Sequence, residues 1–137
     1  MMEVRRLLIR CYHLSNTFIN YKNMTESEIW KKIEHFFEVN FQTEKDPPIE
    51  TILFLIGIQE LGSGQQKFTK DDKVNLIHIA VCRLLEPFGY YKFSHYNEGW
   101  PQFEKLENLP ELKPNEQSLL MKKAIIQYFI DEVIALD

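Results

Sequence analysis

Cysteine is scarce in this 137-residue chain, which has only two, Cys11 and Cys82. They are far apart in the sequence, and neither belongs to a CxxC pair or to a tight Cys/His spacing. These absences argue against a disulfide-stapled fold and against a zinc ribbon. A reducing, cytoplasmic location is the expectation that follows.

Long hydrophobic runs are also missing. A membrane-spanning helix needs about 18 or more apolar residues, whereas the strongest run, Ile52–Ile58, is much shorter. The apolar C-terminal stretch Leu119–Leu136 is interrupted by Lys122, Asp131 and other polar residues. We therefore expect a soluble protein that does not span a membrane.

The chain has no excess of positive charge. Its 16 basic and 20 acidic residues give a formal charge of -4 and a pI near 5.6. Nucleic-acid binding relies on clustered Lys and Arg, so no nucleic-acid partner is expected. The sequence also lacks a Gly-rich phosphate loop, a Gly-x-Ser-x-Gly elbow and a paired di-metal pattern, so no cofactor is predicted.

Arginine usage divides the chain near residue 24. Residues 1–23 contain three of the four arginines. Without the four basic residues and one acidic residue of this segment, the rest of the chain has 12 basic and 19 acidic residues and a formal charge of -7. Thr25 and Glu28 then have the spacing of a helix capping box. We interpret 1–23 as an N-terminal extension or an over-extended start with Met24 as a plausible initiator, followed by one helical domain, 24–137.

Hydrophobic periodicity and cap residues predict four main helices. The predicted segments are Glu26–Phe41, Ile49–Leu61, Thr69 to about Glu86, and Asn115 (or a residue beside Pro114) to Leu136. The second is apolar nearly all round and is predicted to be central, and its Gly57 suggests a close helix crossing. The fold class expected is therefore all-α, a compact bundle or orthogonal array of four main helices.

A long aromatic-rich connector separates the third and last helices. Pro101 is compatible with a short helix through Leu109, and a connector of this length is expected to hold either a short helix or a hairpin. Its aromatic residues are candidate partner-binding side chains, as Tyr and Trp are favoured at interfaces. They are Tyr90, Tyr91, Phe93, Tyr96, Trp100 and Phe103. The alternative is that these rings only close one end of the core.

The third helix carries a polar stripe. Asp71, Asn75, His78, Cys82 and Glu86 share one face at helical spacing, opposite Leu76, Ile77, Ala80, Val81 and Leu84. His78, Cys82 and Glu86 are the candidate catalytic residues, with Cys82 as a nucleophile activated by His78. An ordinary solvated helix face is the competing interpretation.

A metal site is the second use considered for this stripe. His78 and Cys82 at i, i+4 could share a metal, with His95 and Glu98 of the connector completing the ligands. A two-ligand half-site without a companion cluster is weak evidence for this.

Three functional classes follow. The first is a non-catalytic protein-interaction or regulatory module, acidic and cytoplasmic, whose partner is another protein. The second is a small enzyme or metal-binding protein that uses the stripe. The third is a structural homo-oligomer, joined through an apolar face of the last helix around Met121, Ile125 and Tyr128.

Overall fold

The computed structural model describes residues 24–62 and 67–131. The predicted N-terminal extension, with Cys11 and His13, lies outside the described residues. So do residues 132–137, into which the sequence extends the last helix.

The described residues form four helices and one two-stranded antiparallel sheet. The all-α prediction is therefore wrong, although the four main helices are confirmed. The elements in chain order are α1 (Glu26–Phe41), α2 (Ile49–Leu61), α3 (Lys70–Leu85), a 3₁₀ turn (Glu86–Phe88), β1 (Tyr91–Asn97), β2 (Trp100–Lys105) and α4 (Pro114–Phe129).

Cap residues explain where the helices begin and end. Thr25 accepts a hydrogen bond from the backbone N–H of Glu28 at the start of α1, and Thr69 and Asp72 form a reciprocal capping box at the start of α3. These bonds satisfy backbone donors that have no partner inside the helix. Gly62 ends α2 in the left-handed conformation, as glycine readily does.

The hydrophobic core lies where the four helices meet. Ile33 and Phe37 of α1, Ile56 of α2 and Ile125 of α4 are fully buried, and Phe129 packs edge-on against Phe37. α2 crosses α3 so closely that a Cβ built on Gly57 would lie 2.2 Å from the carbonyl oxygen of Leu76. The expected close crossing is confirmed, and it fixes the position of α3.

Of the two alternatives predicted for the connector, a short helix or a hairpin, the structure has the β-hairpin, and residues Pro101 to Leu109 do not form the suggested helix. Glu98 and Gly99 are a two-residue turn in which both φ angles are positive, at 52° and 84°, as a type I′ turn requires. Pro101 lies in β2, where it pairs with Tyr96. In a two-stranded sheet each strand has a free edge, and proline is tolerated on such a strand because its missing N–H can face outward.

The hairpin packs mainly on α3 and also contacts α2. The strand register shifts between Phe93 and His95, which marks a bulge at Ser94. Residues three apart on a regular strand face opposite sides of the sheet, but the bulge lets the rings of Phe93 and Tyr96 come within 5.0 Å. None of the helices in the described ranges is long and apolar enough to span a membrane.

Candidate functional site

The predicted polar stripe of α3 is divided in the structure. Asp71, Asn75 and His78 are exposed, Glu86 is half-buried, and Cys82 is completely buried. Because α3 packs against both the helices and the hairpin, its buried face is wider than the helical periodicity alone indicates. The five residues therefore do not form one continuous surface.

The Cys82 thiol lies in the interior, with Sγ 3.5 Å from Nε2 of His78. Burial raises the pKa of the Cys82 thiol to about 11. Burial, followed by the neighbouring Cys82, also raises the pKa of Tyr91, whose ring contacts His78 edge-on. A cysteine nucleophile must ionise to the thiolate, which this environment disfavours.

Glu86 joins the hairpin to the end of α3. Its Oε1 accepts a hydrogen bond from Nη1 of Arg83 at 2.8 Å, and its Oε2 accepts one from the backbone N–H of Phe93 at 2.7 Å. Both carboxylate oxygens are thus engaged in contacts that position β1. The geometry gives Glu86 a structural role, and a catalytic role for it remains an untested prediction.

Arg83 is the residue under the hairpin that sequence reasoning overlooked. Its Nε lies 3.2 Å from Oε1 of Glu60 on α2, and its guanidinium carbon lies 5.7 Å and 5.0 Å from the ring centroids of Phe93 and Phe103. A guanidinium can pair with carboxylates and stack on rings at once, which an ammonium does less well. The sequence offered one signal for it, because Arg83 is the single arginine in the otherwise lysine-rich sequence from 24 to 137.

His78 and Glu98 meet in a cleft between the first half of α3 and the tip of the hairpin. The cleft has a volume of about 350 Å³. Its lining residues are Asp72, Asn75, His78, Ile79, Asn97, Glu98, Trp100, Pro101 and Gln102. Asp72 and Gln102 are members that no sequence motif indicated, because they come together only when the hairpin folds onto α3.

The other two candidate metal ligands do not line this cleft. Cys82 is inside the protein, and His95 is exposed on β1 with its Nδ1 2.9 Å from the hydroxyl of Ser94. Across residues 24–62 and 67–131, no group of three or more His, Cys, Asp or Glu side chains is arranged to hold a metal ion.

The six connector aromatics separate into two sets. Tyr91, Phe93 and Phe103 are half-buried toward α3, where the two phenylalanine rings pack on Arg83, and Tyr90 packs on the edge of the core. Trp100 is half-buried and lines the cleft, whereas Tyr96 is 61% exposed. Some of these rings therefore close the core, and Tyr96 stays available to a partner.

No significant match was found among protein-family models, curated proteins or solved structures. The cleft offers carboxylate and amide acceptors, one imidazole and one indole, and the thiol lies outside it. This set suits non-covalent recognition through hydrogen bonds and charge better than nucleophilic catalysis.

Proposed function

We propose that this chain is a non-catalytic protein-interaction module, acidic and cytoplasmic, whose hairpin and adjoining connector bind a basic partner protein. The proposal rests on the positions of the large apolar side chains that are exposed in the described residues. Four of the seven such side chains lie in or beside the connector: Phe88, Tyr96, Leu106 and Leu109.

Phe88 and Leu106 lie at the base of the hairpin and Tyr96 lies beside its turn, so the exposed apolar side chains follow the length of the connector. Exposed apolar area rimmed by polar residues is typical of protein-binding surfaces. Tyr96 is well suited to contact a partner because its ring gives apolar contact area and its hydroxyl can hydrogen-bond. Its contact with Phe93 supports the ring from one side, so little conformational freedom would be lost on binding.

Charge supports a basic partner. The chain has a formal charge of -4, and residues 24–137 have -7. Complementary charge speeds association and discourages acidic competitors.

Self-association through the last helix is less well supported. Ile125 and Tyr128, two of the three residues suggested for that interface, are buried in the core of the same chain, and Met121 packs against it. The hydroxyl of Tyr128 accepts a hydrogen bond from Nε2 of Gln59, which further commits this face to the interior. A second copy would therefore have to bind elsewhere.

A small enzyme or ligand-binding protein is the second candidate function, favoured by the convergence of His78 and Glu98 in one cleft. It differs from the interaction module in its response to substitution. His78→Ala should then abolish turnover of a small substrate, while Tyr96→Ser should leave turnover intact.

The interaction module is tested by quantitative enrichment from cells that express the chain. We compare wild type with Tyr96→Ser and with Val39→Ser, a matched control because Val39 on α1 is also 61% exposed. Removing this exposed aromatic contact should lower recovery of specific basic proteins at least about tenfold, and the Val39 variant should retain them. Equal recovery with both variants would contradict the proposal, and recovery of the chain's own copies alone would favour the oligomer.

A further inference from the structure

The cleft between α3 and the hairpin tip has the lining of a cation site. Asp72 and Glu98 supply carboxylates, and Asn75, Asn97 and Gln102 supply amide oxygens. Among residues 24–62 and 67–131, no Lys or Arg lines the cleft. A volume of about 350 Å³ is at the lower end of the range for ligand pockets, so it suits one side chain or a small molecule.

Asp72, Gln102 and Glu98 each have an oxygen that can accept a further hydrogen bond. Oδ2 of Asp72 accepts the backbone N–H of Thr69 at 3.0 Å, which leaves Oδ1. Gln102 donates its Nε2 to the carbonyl oxygen of Trp100, so its own Oε1 remains an acceptor. Within the described residues, no hydrogen bond or ion pair engages the carboxylate of Glu98.

The remaining lining residues fit an arginine side chain in particular. Ile79 and Pro101 are buried and give an apolar floor against which methylene groups can pack. Trp100 supplies an indole, the aromatic group that attracts cations most strongly. A planar guanidinium can stack on such a ring while its five N–H donors reach separate oxygens.

We propose that this cleft binds the guanidinium group of an arginine side chain presented by the partner. This inference rests on the proposed interaction function and adds the chemistry of one contact to it. The cleft recognises the charge and donor pattern of arginine, and Tyr96, which pairs across the hairpin with the cleft residue Pro101, supplies apolar contact area.

The first test uses a probe that requires no partner. The full chain, labelled with ¹⁵N, is titrated with N-acetyl-arginine methylamide and, separately, with the citrulline analogue, which is nearly the same shape but uncharged. We expect a dissociation constant on the order of millimolar for arginine, with shifts at the Trp100 indole and at Glu98. Citrulline should bind at least about tenfold more weakly, and added salt should weaken arginine binding.

The decisive variant is Glu98→Asn. It removes the carboxylate, and asparagine before glycine is a preferred type I′ turn, so the hairpin should be at least as stable as in wild type. Arginine binding should weaken about fivefold, as the loss of one partly exposed ion pair allows. Glu104→Gln removes the same charge from β2 outside the cleft, and it should change binding less than twofold.

Any of four results would overturn this inference. They are equal binding of arginine and citrulline, chemical-shift changes confined to other surfaces, no binding of arginine, and no effect of Glu98→Asn on arginine binding. Failure here is distinguishable from failure of the interaction function. The arginine titration does not depend on Tyr96, and the comparison of Tyr96→Ser with Val39→Ser does not depend on the cleft.

Discussion

Replacing Gly57 with alanine should destabilise the protein, because this glycine is where α2 and α3 are closest. The added Cβ would lie 2.2 Å from the carbonyl oxygen and 2.7 Å from the carbonyl carbon of Leu76. Even close carbon–oxygen contacts between backbones are about 3.3 Å, so α3 must move away by roughly 1 Å. The obstacle is backbone, and a change of side-chain rotamer cannot remove it.

The magnitude follows from two opposing terms. Overpacking a tight interface costs about 1 to 3 kcal/mol, and a contact this short belongs at the upper end. Alanine recovers about 1 kcal/mol through its higher helix propensity. We expect a net loss of about 2 kcal/mol in the free energy of unfolding.

Urea unfolding followed by circular dichroism measures this loss as a lower midpoint with an unchanged slope. Gly89→Ala is the control, because Gly89 has a φ of 86° and nothing within 4 Å of its added Cβ. That variant should lose about 1 kcal/mol from backbone conformation alone. If Gly57→Ala were as stable as wild type, the close crossing of α2 and α3 would be refuted.

Three further predictions concern the hairpin, the thiol and a helix cap. Glu86→Gln should weaken the contact with Arg83 and accelerate hydrogen exchange at the Phe93 amide; unchanged exchange would contradict the role of Glu86. Because burial raises the pKa of Cys82 from 9.0 to about 11, unfolding releases the thiol proton between pH 9 and 11, and the free energy of unfolding should fall as pH rises through that window. If the free energy of unfolding of wild type and of Cys82→Ala changed with pH in the same way, this prediction would be refuted. Thr69→Ala should cost about 1 kcal/mol in urea unfolding, as loss of an N-cap does, and a cost near zero would argue against the capping box.

The helices were predictable because their signals are local. The Pro-Pro start and glycine stop of α2 reproduce its bounds, Ile49–Leu61, and Thr69 marks the start of α3. Such caps act within a few residues of the chain, so their effect does not depend on the rest of the fold.

The sequence left the connector open between a short helix and a hairpin because Pro101 is compatible with both. Proline favours the first turn of a helix, and it is also tolerated where a strand has a free edge. The deciding signal was the turn at Glu98 and Gly99, flanked by aromatic residues that favour strands. Asn97, Glu98 and Gly99 indicate a turn, but glutamate is an unusual residue at a positive φ, so the sequence alone did not identify a type I′ hairpin.

The division of the polar stripe could not be read from α3 alone. The helix places His78 and Cys82 one turn apart on the same face, and packing between elements then leaves one in the cleft and buries the other. Likewise, helical spacing did not indicate that the backbone N–H of Phe93 donates a hydrogen bond to Glu86. These outcomes depend on contacts between distant residues, which helical periodicity does not contain.

Site-specific photo-cross-linking in living cells tests the central claim most directly. A photoreactive phenylalanine derivative is placed at position 96 on the hairpin, or at position 39, which is equally exposed on α1. If the hairpin is the binding surface, position 96 captures a defined basic protein and position 39 does not. Equal capture from both positions, or from neither, would contradict the account.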